Sequence, residues 1–205
     1  MNDKPTPDQF NAYQAQFDYL NKTLFGGTLP PALLNFSRKT SRTLGFFAAG
    51  RWSAGEVKAH EISLNPVTLK NRTPSQVAAT LAHEMVHLWQ EESGTAPKHA
   101  YHNKGWAAKM EEIGLMPSTT GAPGGKKTGP RCSHYVIEGG IFEKAFNEMP
   151  KELHLPWVCC PENHERAKAK QKIKYACDCG LNVWGKPGIS VRCDECDVIM
   201  TPEEK

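Results

Sequence analysis

The residues best suited to chemistry form the pentad His83-Glu84-Met85-Val86-His87. Side chains four positions apart on a helix lie one turn apart on the same face, so the imidazoles of His83 and His87 can reach one metal ion. Glu84 can direct its carboxylate at a water molecule on that ion. Zinc makes such a water more acidic, and a neighbouring glutamate can accept its proton. The spacing therefore predicts a catalytic zinc site with Glu84 as the general base.

The helix that carries the pentad has a clear start signal. Thr73 is suited to the N-cap, Pro74 to the first helical position and Gln76 to the third, which together form a capping box. The pattern predicts a helix from Thr73 to about Ser93. One face is apolar and is expected to be buried, with Val77, Leu81, Met85 and Leu88.

A catalytic zinc site usually has three protein ligands and one open position. The metzincin continuation would require Gly at position 90 and His at position 93, whereas this chain has Gln90 and Ser93, so that subclass is excluded. His102 directly precedes Asn103, which can cap the next helix. From the residues alone, the third ligand stays open among His99, His102, Glu111 and Glu112.

The surrounding elements predict an α+β domain over residues 1–116. Apolar spacing indicates a helix over residues 8–25, and three short apolar runs between residues 33 and 65 indicate strands in an antiparallel meander. The run His60–Asn65 precedes the zinc helix, and we expect it to be the sheet edge that pairs with an extended substrate. Residues 117–131 are dense in Pro, Gly, Ser and Thr, which predicts a flexible linker before a C-terminal region over 132–205.

With these features, the chain resembles the SprT-like, or Spartan-like, zinc metalloproteases. The resemblance runs from the first helix to about residue 116. It rests on the segments at 24–29, 45–50, 62–65, 81–87 and 102–106. It implies a zincin-like fold and a zinc peptidase that acts on protein substrates, with several members associated with DNA. In that family a third histidine precedes an aromatic residue four places on. His102 with Trp106 matches and His99 does not, so the resemblance implies that His83, His87 and His102 hold the zinc ion.

The seven cysteines suggest a second metal site. The chain has no apolar run long enough to span a membrane and no secretory signal, so we expect a cytoplasmic protein with no membrane partner. In a reducing compartment, cysteines more often bind a metal ion than form disulfides. Cys177-x-Cys179 and Cys193-x-x-Cys196 are separated by thirteen residues, which predicts a zinc ribbon over about 175–200 with a structural zinc ion.

SprT-like proteins often carry such a ribbon, although the first cysteine pair here is one residue shorter than the usual spacing. A three-cysteine site completed by Cys159, Cys160 or His164 therefore stays open. No role is assigned to Cys132, nor to Cys159 and Cys160 if the four-cysteine site forms.

The formal charge of +3 is compatible with DNA as a partner but does not indicate it, because no part of the chain is basic overall. Local basic clusters lie at 38–58, at 126–131 and at 166–174. Trp184, close to Lys186, could stack on an unpaired base. The candidate nucleic-acid contacts are Lys126, Lys127, Arg166, Lys168, Lys170, Trp184 and Lys186. The alternative function is a DNA-binding zinc-ribbon protein with minor or conditional protease activity, associated with DNA or the nucleoid. Near the zinc site, the candidates for stabilising an oxyanion are Tyr101, His134 and Tyr135.

Overall fold

A computed structural model of the chain describes residues 4–37, 43–97, 101–159 and 172–203. The chain forms two compact units, Met1–Cys160 and Pro161–Lys205. Each described unit has its own buried apolar cluster. Both units contain small β-sheets, and the longer helices belong to the first, so the architecture is mixed α/β.

The helices of the first unit follow the signals in the sequence. They are α1 (Pro5–Phe25), α2 (Pro66–Leu69), α3 (Pro74–Glu92), α4 (Lys104–Glu112) and α5 (Ile141–Glu148), with a short 3-10 turn at Lys151–Leu153. The capping box of α3 is confirmed. The backbone N–H of Gln76 donates to the Thr73 hydroxyl at 3.3 Å, and the backbone N–H of Thr73 donates to the Gln76 side chain at 3.1 Å. These reciprocal bonds satisfy two backbone donors that would otherwise lack helical partners.

The main sheet of the first unit has the strand order β1-β3-β2, with β1 at Ala32–Phe36, β2 at Gly45–Ala54 and β3 at Val57–Leu64. β2 and β3 are antiparallel and joined by a two-residue turn, whereas β1 pairs with the other side of β3 in parallel. The expected antiparallel meander is therefore wrong. The expected substrate edge at His60–Asn65 is wrong as well, because both sides of β3 are already paired. The edge strand beside α3 is β2.

The segment after α4 differs from the expected linker. β4 (Leu115–Ser118) pairs with β5 (Ser133–Val136), and residues 117–131 lie within the first compact unit. The Pro- and Gly-rich composition forms turns here, closed by a bond from the N–H of Thr119 to the carbonyl of Lys126 at 2.9 Å. Gly129 also pairs with His102 in an isolated bridge. The structure divides the chain at Cys160 rather than at residues 116 and 131.

The core of the first unit fixes α3 in place. α3 packs against α1, α4, α5 and the strands β2 and β3. Its fully buried side chains include Leu81, Met85 and Leu88, which lie among Tyr13 and Phe17 of α1. Each such side chain contributes roughly 1.5–3 kcal/mol when it leaves water. The pentad is thus built on one of the most firmly buried elements of the chain.

The second unit is small. Its described strands are β6 (Ile173–Ala176), β7 (Asn182–Gly185), β8 (Arg192–Cys193), β9 (Val198–Ile199) and β10 (Thr201–Glu203). They form a sheet of order β10-β6-β7 and a β8–β9 hairpin. The buried cluster is limited to Tyr175, Cys177, Cys193 and Met200. A core of this size is usually insufficient for a stable fold without a metal or another staple. Across the described residues, no helix combines the length and hydropathy needed to cross a membrane.

Candidate metal centre

The pentad lies on α3, where helical geometry brings His83 and His87 together. Their ring centroids are 5.3 Å apart. His83 is 8% exposed and Glu84 is 6% exposed, so both lie at the base of the site rather than on the surface. The sequence-predicted spacing of one helical turn is therefore present on a buried helix.

His102 reaches the pair from the residue before the N-cap of α4. The N–H of Trp106 donates to Asn103 Oδ1 at 2.9 Å, and Gln90 of α3 donates to the same oxygen at 2.8 Å. The cap of α4 is thus tied directly to α3. Gly129 holds His102 from the other side, with backbone bonds of 2.9 and 3.1 Å in the two directions.

Gly129 also fixes the tautomer of the His102 ring. His102 Nδ1 lies 3.0 Å from the carbonyl oxygen of Gly129. Because a carbonyl can only accept, Nδ1 must carry the proton and Nε2 is left with a free lone pair. That Nε2 lies 3.2 Å from His87 Nε2.

The three histidines form a set suited to one metal ion. One ring nitrogen from each of His83, His87 and His102 lies within 4.8 Å of the others. With Zn–N bonds of about 2.0–2.1 Å, two nitrogens on a tetrahedral ion are separated by about 3.3 Å. The distance of 3.2 Å between His87 and His102 agrees with that spacing. Three imidazoles with room for a fourth ligand are the donor set of a catalytic zinc site.

Trp106 of α4 forms the floor under this set. Its ring centroid lies 4.3 Å from that of His102, 4.8 Å from that of His83 and 5.4 Å from that of His87. The indole is completely buried. Because all three imidazoles rest against one rigid side chain, their relative positions are limited by packing as well as by hydrogen bonds.

Glu84 lies beside the set, against strand β2. Burial raises the pKa of Glu84 to about 8, opposed by a hydrogen bond to the backbone of Phe47. Gly45 approaches the carboxylate closely. A Cβ added there would lie 3.0 Å from the Ser63 carbonyl oxygen and 3.2 Å from Glu84 Oε1. The close approach of β2 to Glu84 therefore depends on the missing side chain of Gly45.

Burial keeps the histidines neutral, which is the form that binds metal. It lowers the pKa of His87 to about 3, with a further contribution from His102, and lowers the pKa of His83 well below its usual range. The pKa of His102 is lowered for the same reason, against a hydrogen bond with Gly129 that raises it. Each of the three neutral imidazoles can therefore offer a lone pair to a metal cation.

The set opens into a cleft of about 930 Å³, bounded by β2, α3 and the segment before β5. Two of the three proposed oxyanion residues, Tyr101 and His134, line it, and Tyr135 does not. The alternative ligands Glu111 and Glu112 pair instead with Lys127 at 3.0 Å and Lys109 at 2.7 Å. His99 lies outside the described residues.

Comparison with protein families matches residues 13–125 to the SprT-like family, which is more than half of the chain. The chain belongs to the SprT-like family. No curated protein matches it in the corresponding comparison. The matched residues include the three histidines, Glu84 and Trp106, whereas β5 and the cysteines lie beyond them.

The four predicted cysteines of this SprT-like protein come together in the second unit. One sulfur from each of Cys177, Cys179, Cys193 and Cys196 lies within 4.8 Å of the others. A backbone hydrogen bond from Leu181 lowers the pKa of Cys179 to about 7, which favours the thiolate that binds metal. Cys160 and His164 lie outside the described residues, and Cys132 and Cys159 belong to the first unit.

The candidate nucleic-acid residues fall in both units. Lys126 and Lys127 precede β5, and Lys127 pairs with Glu111. Trp184 on β7 is 61% exposed and lies opposite Lys174 of β6, which pairs with Glu203 at 3.0 Å. Lys186 follows β7 and its carbonyl accepts a bond from Tyr175 at 2.8 Å. Arg166, Lys168 and Lys170 lie outside the described residues.

Sequence reasoning missed two glycines at the SprT-like site. Gly45 allows β2 to approach Glu84, and Gly129 supplies the acceptor for His102. Gly129 lay inside the segment expected to be a flexible linker. No local signal distinguishes either glycine, because each acts on a residue at least 27 positions away.

Proposed function

We propose that this protein is a zinc-dependent metalloendopeptidase of SprT-like type with a zincin-like catalytic unit, acting on protein substrates. The observation that carries the proposal is the convergence of three neutral imidazoles in a cleft beside the buried carboxyl group of Glu84. Membership of the SprT-like family supports the same reading.

In this proposal His83, His87 and His102 hold the zinc ion. When bound, zinc acts as a Lewis acid toward the scissile carbonyl and lowers the pKa of the attacking water. Glu84 accepts the proton of that water and delivers it to the leaving amine. Glu84 would act as a carboxylate in the metal-loaded protein, because a neighbouring cation would lower its pKa from the value of about 8 that burial produces.

The edge strand β2 is the proposed binding surface for an extended substrate. Gly45, Phe46 and Phe47 line the cleft directly beside Glu84. Among the described strands, β2 pairs with β3 alone, so its outer side can add a substrate strand through backbone groups other than the Phe47 donor that bonds Glu84. Backbone pairing of this kind is tolerant of side-chain identity, which suits a peptidase with protein substrates.

The second unit is proposed to hold a structural zinc ion between Cys177, Cys179, Cys193 and Cys196. The buried cluster of this unit is small, and four convergent thiols supply the donor set of a structural zinc site. We therefore expect two zinc ions per chain. Metal analysis is expected to give one zinc ion per chain for His102→Ala, since the cysteine site does not depend on that residue.

Replacement of the general base tests the proposed reaction. We expect Glu84→Gln to retain zinc and to lower kcat on an unfolded protein substrate about 10²–10⁴-fold, because the proton acceptor is lost. Glu92→Gln is the matched control, since Glu92 lies on the same helix but outside the cleft. Cleavage by zinc-loaded Glu84→Gln at the wild-type rate would refute the mechanism.

DNA association is the second candidate function, favoured by the exposure of Trp184 next to Lys174 on the sheet of the second unit. Such a pair can stack on an unpaired base and contact its phosphate. We expect the full chain to bind single-stranded DNA with an affinity that falls as salt rises, and Trp184→Ala to bind more weakly. Equal affinity of Trp184→Ala and the wild type would refute the contact.

Comparing cleavage of a DNA-binding protein in the presence and absence of DNA tests whether protease activity is conditional on DNA.

A further inference from the structure

His134 contacts the first histidine of the pentad from outside the residues that match the family. It lies on β5, nine positions beyond residue 125, where the matched segment ends. Its Nδ1 is 3.1 Å from His83 Nδ1, and the two ring planes are inclined by 43°. β5 is held in place by antiparallel pairing with β4, where His134 lies opposite Pro117.

His134 stands behind the metal-binding set and not within it. The nitrogens that lie within 4.8 Å of one another come from His83, His87 and His102, and no nitrogen of His134 joins that group. Its contact is with one nitrogen of His83, Nδ1, which leaves His83 Nε2 as the nitrogen available to a metal ion. The geometry is therefore that of a partner to a ligand rather than of a fourth ligand.

The proton between the two rings has only one placement compatible with metal binding. Two ring nitrogens at 3.1 Å form a hydrogen bond when one of them carries the proton. If His83 Nε2 is to bind metal, its neutral ring must carry the proton on Nδ1, which then donates to His134 Nδ1. His134 must in turn carry its own proton on Nε2.

We propose that His134 is a positioning residue, which accepts the Nδ1 hydrogen bond of His83 and so sets the tautomer and orientation of the first zinc-binding ring. The inference rests on the proposed function, since it assumes a zinc ion at the three histidines. His102 has the same arrangement, with its Nδ1 bonded to the carbonyl oxygen of Gly129 at 3.0 Å. Partners of this kind raise metal affinity by fixing the ligand before the ion arrives.

Two substitutions in the full chain separate the acceptor from the ring. His134→Phe keeps an aromatic ring and removes both nitrogens, and His134→Asn places an amide oxygen near the position of Nδ1. Tyr135→Phe, at the next position of β5 and outside the cleft, is the matched control. The affinity of the histidine site for zinc is measured by competition with a chromophoric chelator. That site is identified as the one lost in His102→Ala.

We expect His134→Phe to weaken zinc binding at this site about 10–100-fold, and His134→Asn and Tyr135→Phe to stay within about threefold of the wild type. In the zinc-loaded protein, nuclear magnetic resonance of the ring nitrogens is expected to detect a protected Nδ1–H on His83, which is absent in His134→Phe. Wild-type affinity in His134→Phe would overturn the inference. Equal losses in His134→Phe and His134→Asn would overturn it too, because the acceptor would then be irrelevant.

The readout also separates this inference from the proposed function. A wild-type protein that binds zinc and shows the expected variant series, but cleaves no protein, refutes the peptidase and leaves the role of His134 intact. If Glu84→Gln abolishes cleavage while His134→Phe binds zinc normally, the role of His134 is refuted and the peptidase stands. A wild-type protein without zinc at the histidines overturns both.

Discussion

Gly45→Ala is a one-carbon perturbation of the distance between β2 and the proposed general base. The added Cβ would lie 3.0 Å from the Ser63 carbonyl oxygen, 3.2 Å from Glu84 Oε1 and 3.3 Å from Glu84 Cγ. These distances require a neighbour to move by a few tenths of an ångström. The Ser63 carbonyl belongs to the central strand β3 and is poorly able to move, so the displacement falls mainly on the side chain of Glu84.

The expected loss follows from how sensitive proton transfer is to position. A misplacement of about 1 Å in a catalytic arrangement costs about 10²-fold in rate. On that scale, a shift of about 0.3 Å is expected to lower kcat about fourfold, which corresponds to about 0.8 kcal/mol of activation free energy. The three atoms nearest the added carbon belong to Ser63 and Glu84 and not to an imidazole, so the zinc content is expected to stay at the wild-type level.

The assay compares kcat, zinc content and thermal unfolding for Gly45→Ala and Gly105→Ala. Gly105 lies in α4 near His102, but a Cβ there meets Asn103 Oδ1 at 3.4 Å and Gln90 Nε2 at 3.8 Å, which are ordinary contacts. Gly105 lies in the first turn of α4, and alanine has the higher helix propensity of the two residues. The control is therefore expected to be active and at least as stable as the wild type. Full activity of Gly45→Ala, or a loss of activity that follows loss of zinc, would refute the reasoning.

Three further predictions test the surroundings of the site. In the metal-free protein, the raised pKa of Glu84, about 8, means that the folded state retains a proton that the unfolded chain has released. The free energy of unfolding, measured with urea, should therefore fall by about 2 kcal/mol between pH 6.5 and 8. The same pH dependence in Glu84→Gln and the wild type would contradict this. Trp106→Ala removes the floor of the histidine set and should destabilise the first unit by about 3–5 kcal/mol in urea unfolding, and an unchanged midpoint would exclude that role. Cys177→Ser should remove one zinc ion per chain in metal analysis while leaving the ion at the histidines, and retention of both ions would argue against a cysteine ligand.

The local parts of the first unit could be predicted because their signals lie within a few residues of one another. The capping box joins Thr73 to Gln76, and the pentad spans a single helical turn. The cap of α4 at Asn103 is equally local and places His102 directly before the helix. Each of these features depends on helical geometry alone, which is the same in every protein.

The pairing of strands could not be predicted in the same way. Apolar runs identify strands, but the order of the strands in the sheet depends on contacts between distant residues. β1 pairs directly with β3, although the whole of β2 separates them in the sequence. The composition of residues 117–131 was misleading for a related reason. Pro and Gly favour turns as much as flexible linkers, and here the turns return the chain to His102.

The histidine set therefore depends both on local helical geometry and on contacts between distant residues. Helical spacing brings His83 and His87 together, and the cap of α4 adds His102. Spacing does not decide which nitrogen of each ring carries a proton, and a ring with the proton on Nε2 cannot bind metal through that atom. Gly129 supplies the acceptor at Nδ1 of His102, His134 is the proposed acceptor at Nδ1 of His83, and both lie on the segment that returns after α4. In the proposed site, these acceptors turn three neighbouring histidines into a defined set of metal ligands, and they come from residues beyond the pentad.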